Sequence, residues 1–201
     1  MLLVPIIIFV LGLIVGSFLN VVILRLNTGR SVVRGRSACA RCNRTLAWYE
    51  LVPVFSFLAL RGKCRTCQGA ISFQYPLVEL TTALLFVIEY SRIVIAGGFT
   101  QMAWIVYAFV LIVSALFMVI VVYDLRHKII PDQVVYPLIL LALLSILWRG
   151  AVFPYFGIAT ALFGGVLVAL PFFCLWFFSK GRLMGFGDVK LALAIGWLFG
   201  L

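Results

Sequence analysis

Charge is scarce in this 201-residue chain. It has 16 Lys and Arg, six Asp and Glu and one His, and charged residues make up 11% of the total. A soluble domain of this length carries about a quarter charged residues and roughly 45–50% apolar ones. Here 65% are hydrophobic. No globular core can hide so much apolar surface, which excludes a soluble globular protein and excludes disorder; the solvent must be lipid. Short segments that alternate apolar and polar residues are also lacking, which argues against a transmembrane β-barrel. Met1–Val10 has no basic n-region and no small-residue cleavage site precedes Arg25, so no cleaved signal peptide is expected and the first helix stays. No nucleic-acid motif accompanies the net charge of +10, so nucleic acid is not expected as a partner. What remains is an all-α polytopic membrane protein.

The few charges divide the chain. Uncharged or nearly uncharged runs predict helices over Leu2–Leu24, Pro76–Ala96, Gln101–Asp124, Gln133–Trp148 and Tyr155–Phe178, with the Gly97-Gly98 turn separating the second and third. A last run starts near Gly187. A span takes about 20 residues at 1.5 Å each, so the expectation is five full helices and the start of a sixth. Asp188–Leu201 would reach only about 20 Å, which predicts a truncated sixth helix with more chain beyond. The domains expected are a transmembrane helix over 1–24, a cytoplasmic loop domain over 25–75 and a transmembrane core over 76–201. Lys and Arg placement sets the orientation. Nine basic residues between Arg25 and Arg65, then Arg126, Lys128, Lys180, Arg182 and Lys190, lie on one side, against Arg92 and Arg149 on the other. The basic side is cytoplasmic and the N-terminus faces outward. The excess positive charge then serves topology and anionic headgroups.

Within the loop, Cys39-Ala40-Arg41-Cys42 and Cys64-Arg65-Thr66-Cys67 are separated by 21 residues. Each C-x2-C puts two sulfurs on one tight knuckle, and two knuckles complete a tetrahedral four-sulfur site suited to Zn2+. Neighbouring Arg41, Arg44, Lys63 and Arg65 favour thiolates. A redox dithiol or a pair of disulfides is the competing reading, and the reducing cytoplasm argues for zinc. A closed four-cysteine site has no open position, so the expected role is structural. Between the knuckles, Leu46–Leu60 is too short and too broken by Glu50 and Pro53 to span; its Trp48 and Tyr49 suit an interfacial segment. Glu50 is either solvated or functional. Cys174, alone in the fifth helix, is expected to be a packing residue.

The six carboxylates carry most of the chemical information, because an ionisable group in or at a membrane is costly. Asp124 closes the third helix. Asp188 opens the sixth, in Met184-Gly185-Phe186-Gly187-Asp188-Val189-Lys190. Both are expected at the cytoplasmic edge, where antiparallel helices could bring them together. Two facing carboxylates cannot both ionise cheaply and share a proton. Such a dyad activates water with one member and protonates the leaving amine with the other. Gly185 and Gly187, lacking Cβ atoms, would let a peptide backbone approach. The competing reading of Asp188 is a helix N-terminal residue favoured by the macrodipole. Capping explains Asp132 after Ile130-Pro131, and Glu79 is placed in the first turn of the second helix. Glu89 and Arg92 are set to pair. His127 reads as a solvated loop residue.

These residues resemble the type IV prepilin peptidases, the bifunctional leader peptidases and N-methyltransferases of type IV pilus and type II secretion systems. The resemblance runs through Gly16-Ser17-Phe18-Leu19-Asn20-Val21-Val22-Ile23, the paired C-x2-C loop, Leu60-Arg61-Gly62-Lys63-Cys64-Arg65, Tyr75-Pro76-Leu77-Val78-Glu79-Leu80, Ile130-Pro131-Asp132 and the G-x-G-D motif ending at Asp188. Where many members carry Glu-Gly ahead of that motif, Arg182-Leu183 stand here. The resemblance implies that residues 76–201 form a peptidase core with Asp124 and Asp188 as the catalytic aspartates. It implies zinc on the four cysteines, prepilin or pseudopilin substrates with short basic leaders, and residence in the bacterial inner membrane. It further implies S-adenosylmethionine as methyl donor; no soluble-methyltransferase G-x-G-x-x-G loop is present, and Glu50 with the zinc loop is the expected neighbourhood of methyl transfer. Two other classes compete: a proton- or cation-coupled transporter, opposed by acids gathered at one membrane edge and by the lack of an inverted repeat, and a non-catalytic zinc-bearing assembly protein.

Overall fold

A computed structural model of the chain describes residues 3–95, 100–152 and 157–200. Its helices are α1 (Leu3–Arg25), a 3-10 turn (Trp48–Leu51), α2 (Phe55–Ala59), α3 (Gln74–Ile95), α4 (Gln101–His127), α5 (Asp132–Val152), α6 (Ile158–Ser179) and α7 (Phe186–Phe199). The chain divides into two compact units, Met1–Val119 and Ile120–Leu201, so that α4 contributes to both. Among the described residues, α1, α4, α5 and α6 are long and apolar enough to cross a membrane. The α3 helix has 22 residues but carries Glu79, Glu89 and Arg92, and falls short in apolarity where the sequence reading counted a full span. The 14 residues of α7 are too few for a roughly 30 Å core.

In the first unit, α1 and α3 pack through small residues. Gly12 and Gly16 are four apart and share a helix face. A Cβ on Gly12 would overlap the Ala83 backbone, and one on Gly16 would come within 2.7 Å of the Glu79 Cα. In lipid, such close backbone approach replaces the hydrophobic driving force. Asn20, buried on α1, donates to the Tyr75 carbonyl at 3.1 Å and ties the start of α3 to the same seam. Beyond it, Ile8, Phe86 and Tyr107 form a buried cluster, with the Tyr107 hydroxyl donating to the Phe86 carbonyl at 2.9 Å.

In the second unit, α7 lies against α5 and α6. A Cβ on Gly196 would sit 2.7 Å from the Gly165 Cα, and the Trp197 ring occupies the space a Gly165 side chain would take. The Trp197 indole donates to the Leu162 carbonyl at 3.1 Å. Arg149, in the last turn of α5, donates to the Trp197 carbonyl at 2.7 Å. On α5, Val135, Leu138, Ala142 and Ile146 are fully buried.

Helix ends differ from the sequence reading where local turns decide them. The α3 helix starts at Gln74, two residues ahead of Pro76, which places Glu79 in the second turn. The α4 helix runs past Asp124 to His127. It stops because Lys128 takes a left-handed conformation (φ 56°) and returns its N–H to the Asp124 carbonyl at 2.7 Å, an αL cap. His127 is therefore helical, its ring stacked on Tyr123 at 4.2 Å. The Gly97-Gly98 turn and the expected fifth-helix start at Tyr155 lie outside the described residues.

Candidate functional site

The loop between α1 and α3 is two copies of one knuckle, offset by 25 residues. In the first, Ala38 and Thr45 form an antiparallel bridge, Cys39 N–H donates to the Arg44 carbonyl at 2.9 Å and Asn43 N–H to the Cys39 carbonyl at 2.9 Å. In the second, Lys63 bridges Ala70, Cys64 N–H donates to the Gly69 carbonyl at 2.8 Å and Gln68 N–H to the Cys64 carbonyl at 3.0 Å. Asn43 and Gln68, each just after the second cysteine, have positive φ of 55° and 54°. The four sulfurs all lie within 4.8 Å of one another, and the Cys39 and Cys67 Sγ atoms are 3.9 Å apart. With Zn–S bonds of about 2.3 Å, the edge of a tetrahedral site is about 3.8 Å. The donor set therefore fits a zinc ion.

The knuckle backbone also prepares the thiols. The Cys67 and Thr66 amides lower the Cys64 thiol to about 6, and the Cys42 and Arg41 amides lower that of Cys39. At Cys67 the Gly69 amide lowers the value, but burial and the neighbouring thiols prevail and push it up to about 11. The Arg44 Nε is buried without a hydrogen-bond partner, and the Arg44 charge is stabilised first by Glu50, with the Cys64 sulfur adding a smaller part.

Glu50 is neither solvated nor available. Its side chain is 2% exposed; Oε1 pairs with Arg44 Nη2 at 2.5 Å and Oε2 accepts the Ala47 N–H at 2.9 Å. The Ala47 amide, then Arg44, hold the carboxyl below its ordinary range. Both oxygens serve the loop fold. Glu79 is likewise buried, with Oε2 accepting the Val54 N–H at 2.7 Å. That contact holds Val54 in a γ-turn (φ 61°, ψ −50°) closed by Phe55 N–H on the Pro53 carbonyl. Trp48 and Phe55 stay exposed nearby.

The aspartates lie in the second unit. Asp124 is half-buried in the last turns of α4; Asp188 is half-buried in the first turn of α7, its N–H directed to the Gly185 carbonyl at 3.3 Å. The connector that follows Asp124 packs on the turn that carries Asp188. A Cβ on Gly187 would meet the Ile130 Cβ at 2.9 Å, and Lys190 Nζ donates to Asp132 Oδ1 at 2.7 Å. Asp132 is thus a bridging residue as well as an α5 first-turn residue, which revises its reading as a cap. The two glycines also separate. Gly187 is required for packing against Ile130, whereas Gly185 faces nothing nearer than the Asp188 carboxylate at 3.8 Å. Lys190, expected only as a topological charge, is the residue that sequence reasoning missed; its partner Asp132 lies 58 positions away, so no local signal pointed to the pair. Cys174 is half-buried on α6 and lines an open cleft with Pro171 and Phe178.

Comparison with known proteins matches both halves of this arrangement. Residues 10–93 fit the family model described as the Bacterial Peptidase A24 N-terminal domain, and residues 109–201 that of the Type IV leader peptidase family. A prepilin leader peptidase/N-methyltransferase of Pectobacterium carotovorum subsp. carotovorum is 33% identical over 94% of this chain and 73% of its own. The chain belongs to the type IV leader peptidase family. A second member from Pseudomonas aeruginosa, of the same name, is 35% identical over 92% of this chain and 69% of its own. One from Myxococcus xanthus is 63% identical over 39% of this chain and 23% of its own length. No solved structure matches. Along this leader peptidase chain, the N-terminal family segment takes in the four cysteines and the second segment takes in both aspartates.

Proposed function

We propose that this leader peptidase removes the short basic leader of type IV prepilins and pseudopilins at the cytoplasmic membrane face, and that Asp124 and Asp188 are its catalytic pair. The observation that carries the pair is the packing of the α4–α5 connector on the first turn of α7, through Ile130 on Gly187 and Asp132 on Lys190. It gathers the end of α4 and the start of α7 at one end of the unit. In the reaction, one carboxylate in its ionised form takes a proton from water, which attacks the scissile carbonyl. The other, protonated, delivers its proton to the leaving amine. Gly185 leaves room for the substrate backbone.

The basic loops support an orientation with the N-terminus outside and the zinc loop and aspartates inside. Zinc on Cys39, Cys42, Cys64 and Cys67 would cross-link the two knuckles and fix the loop between α1 and α3, with no open position for substrate. N-methylation of the new N-terminus, with S-adenosylmethionine as donor, is proposed for the same chain on its family membership. No residue is assigned to the donor.

The test is turnover of a synthetic prepilin by the detergent-solubilised chain, read by mass spectrometry. Asp124→Asn and Asp188→Asn should each lower cleavage by at least about 10³-fold, since a neutral amide replaces neither state of the pair, while both proteins still insert. Robust cleavage by either variant overturns the assignment.

A further inference from the structure

Lys190 makes four contacts, to three residues, that the leader peptidase reaction does not use. Its Nζ donates to Asp132 Oδ1 at 2.7 Å and to the Tyr136 hydroxyl at 3.2 Å, and it lies over the Tyr136 ring at 4.8 Å and the Phe186 ring at 5.4 Å. The Phe186 ring is held from its other neighbour, Trp176 of α6, at 4.8 Å. The Lys190 side chain is only 17% exposed. A flexible ammonium is thereby pinned to one geometry, where an ordinary surface lysine samples many.

Its position on α7 separates it from the chemistry. Two residues along an α-helix turn the side chain by about 200°, so Lys190 projects from the face roughly opposite Asp188. It cannot serve as a hydrogen-bond partner of the Asp188 carboxylate while holding Asp132. What it does hold is backbone. Gly187, just before Asp188, is pressed on Ile130, and Lys190, just after, is tied to Asp132. Asp188 is bracketed by two contacts to the same short connector, which itself begins at the αL cap on the Asp124 carbonyl.

We propose that the Lys190–Asp132 bridge, with Ile130 on Gly187, is a positioning clamp that sets the separation of Asp188 from Asp124. It rests on the reading of those aspartates as the catalytic pair. Lys190 and Asp132 are positioning residues and touch neither the attacking water nor the substrate; the Asp132 side chain is itself 55% exposed. Acting as one unit, they give losses that do not multiply, and the losses fall on turnover and not on substrate binding.

The experiment has two arms, both on the full chain in detergent. In the first, synthetic prepilin is turned over by Asp132→Asn, Lys190→Met, the double variant and Lys190→Arg. The expected result is a kcat lower by about 100-fold in either single variant, the scale of a small misplacement of reacting groups. KM stays within about twofold, the double variant is no worse than the singles, and Lys190→Arg keeps most activity. In the second, Asp124→Cys/Asp188→Cys is bridged with bifunctional thiol reagents of graded length, and linked peptides are quantified by mass spectrometry. A sharp length optimum is expected, broadened when Lys190→Met is added. Losses that multiply, losses confined to KM, or an unchanged length profile overturn the clamp. The second arm needs no catalysis, so full activity of Asp124→Asn would sink the catalytic reading while the length profile still judged the clamp.

Discussion

Replacing Glu50 by Gln removes one charge and almost no volume, from a side chain that is 2% exposed. The amide oxygen can still accept the Ala47 N–H, so the 3-10 turn keeps its cap. The amide nitrogen, however, now faces Arg44, whose side chain is 32% exposed and already has a buried Nε without a partner. Breaking a fully buried ion pair costs about 3–5 kcal/mol. Arg44 can turn partly to water, so the loss here is that of a charge-assisted hydrogen bond with its partner left behind, about 1–3 kcal/mol. That is about 5- to 150-fold in the equilibrium for opening the loop. The assay is hydrogen exchange with mass spectrometry on loop peptides, where the Cys39, Leu46, Cys64 and Ile71 amides are hydrogen-bonded across the knuckles. Their exchange should accelerate by that factor and the α4–α7 peptides should not change. The control is Glu89→Gln, whose pair with Arg92 is long at 3.5 Å and 72% exposed on the Arg92 side; its effect should stay below about 0.5 kcal/mol. Unchanged loop exchange in Glu50→Gln would refute the assignment of Glu50 to the loop fold.

Three further outcomes are expected. Metal analysis should find about one zinc per chain, with Cys39→Ser or Cys67→Ser losing it and exposing the loop to protease; zinc retained in both variants would contradict the four-sulfur site. Glu50 also gives the loop a pH dependence. Its carboxyl is held below the ordinary range by the Ala47 amide and Arg44, so its contribution is complete above that range and is lost as pH falls through the lowered value. The gap in zinc-release rate between wild type and Glu50→Gln, a difference that cancels cysteine protonation, should be constant near neutrality and close only in acid. A gap that instead closed as pH rose would reverse the sign and refute the account. Finally, Gly12→Val forces a branched side chain against the Ala83 backbone. It should cost about 1–3 kcal/mol, read as a lower melting temperature in detergent, whereas Ala159→Val on the exposed face of α6 should be near neutral.

The sequence by itself determined the solvent, the helices and the chemistry on offer. Six acids and long uncharged runs leave no alternative to lipid, because apolar burial scales with composition and needs no knowledge of contacts. The two C-x2-C pairs announce a four-sulfur site because a knuckle is local: every hydrogen bond that shapes it joins residues within about ten positions. Asp124 and Asp188 stood out because ionisable groups in or at a membrane are costly. Tertiary structure alone decided the partners. Glu79 read as a dipole residue until Val54 arrived from 25 positions away. Asp132 satisfied a capping rule, which is local, while the bridge that occupies it comes from Lys190, 58 positions along the chain. The contact of Gly187 with Ile130 joins residues 57 positions apart, which no local pattern announced. In each case periodicity and caps operate over a turn or two of backbone, whereas the identity of a cross-chain partner depends on which helix faces which, and only packing of the folded chain sets that.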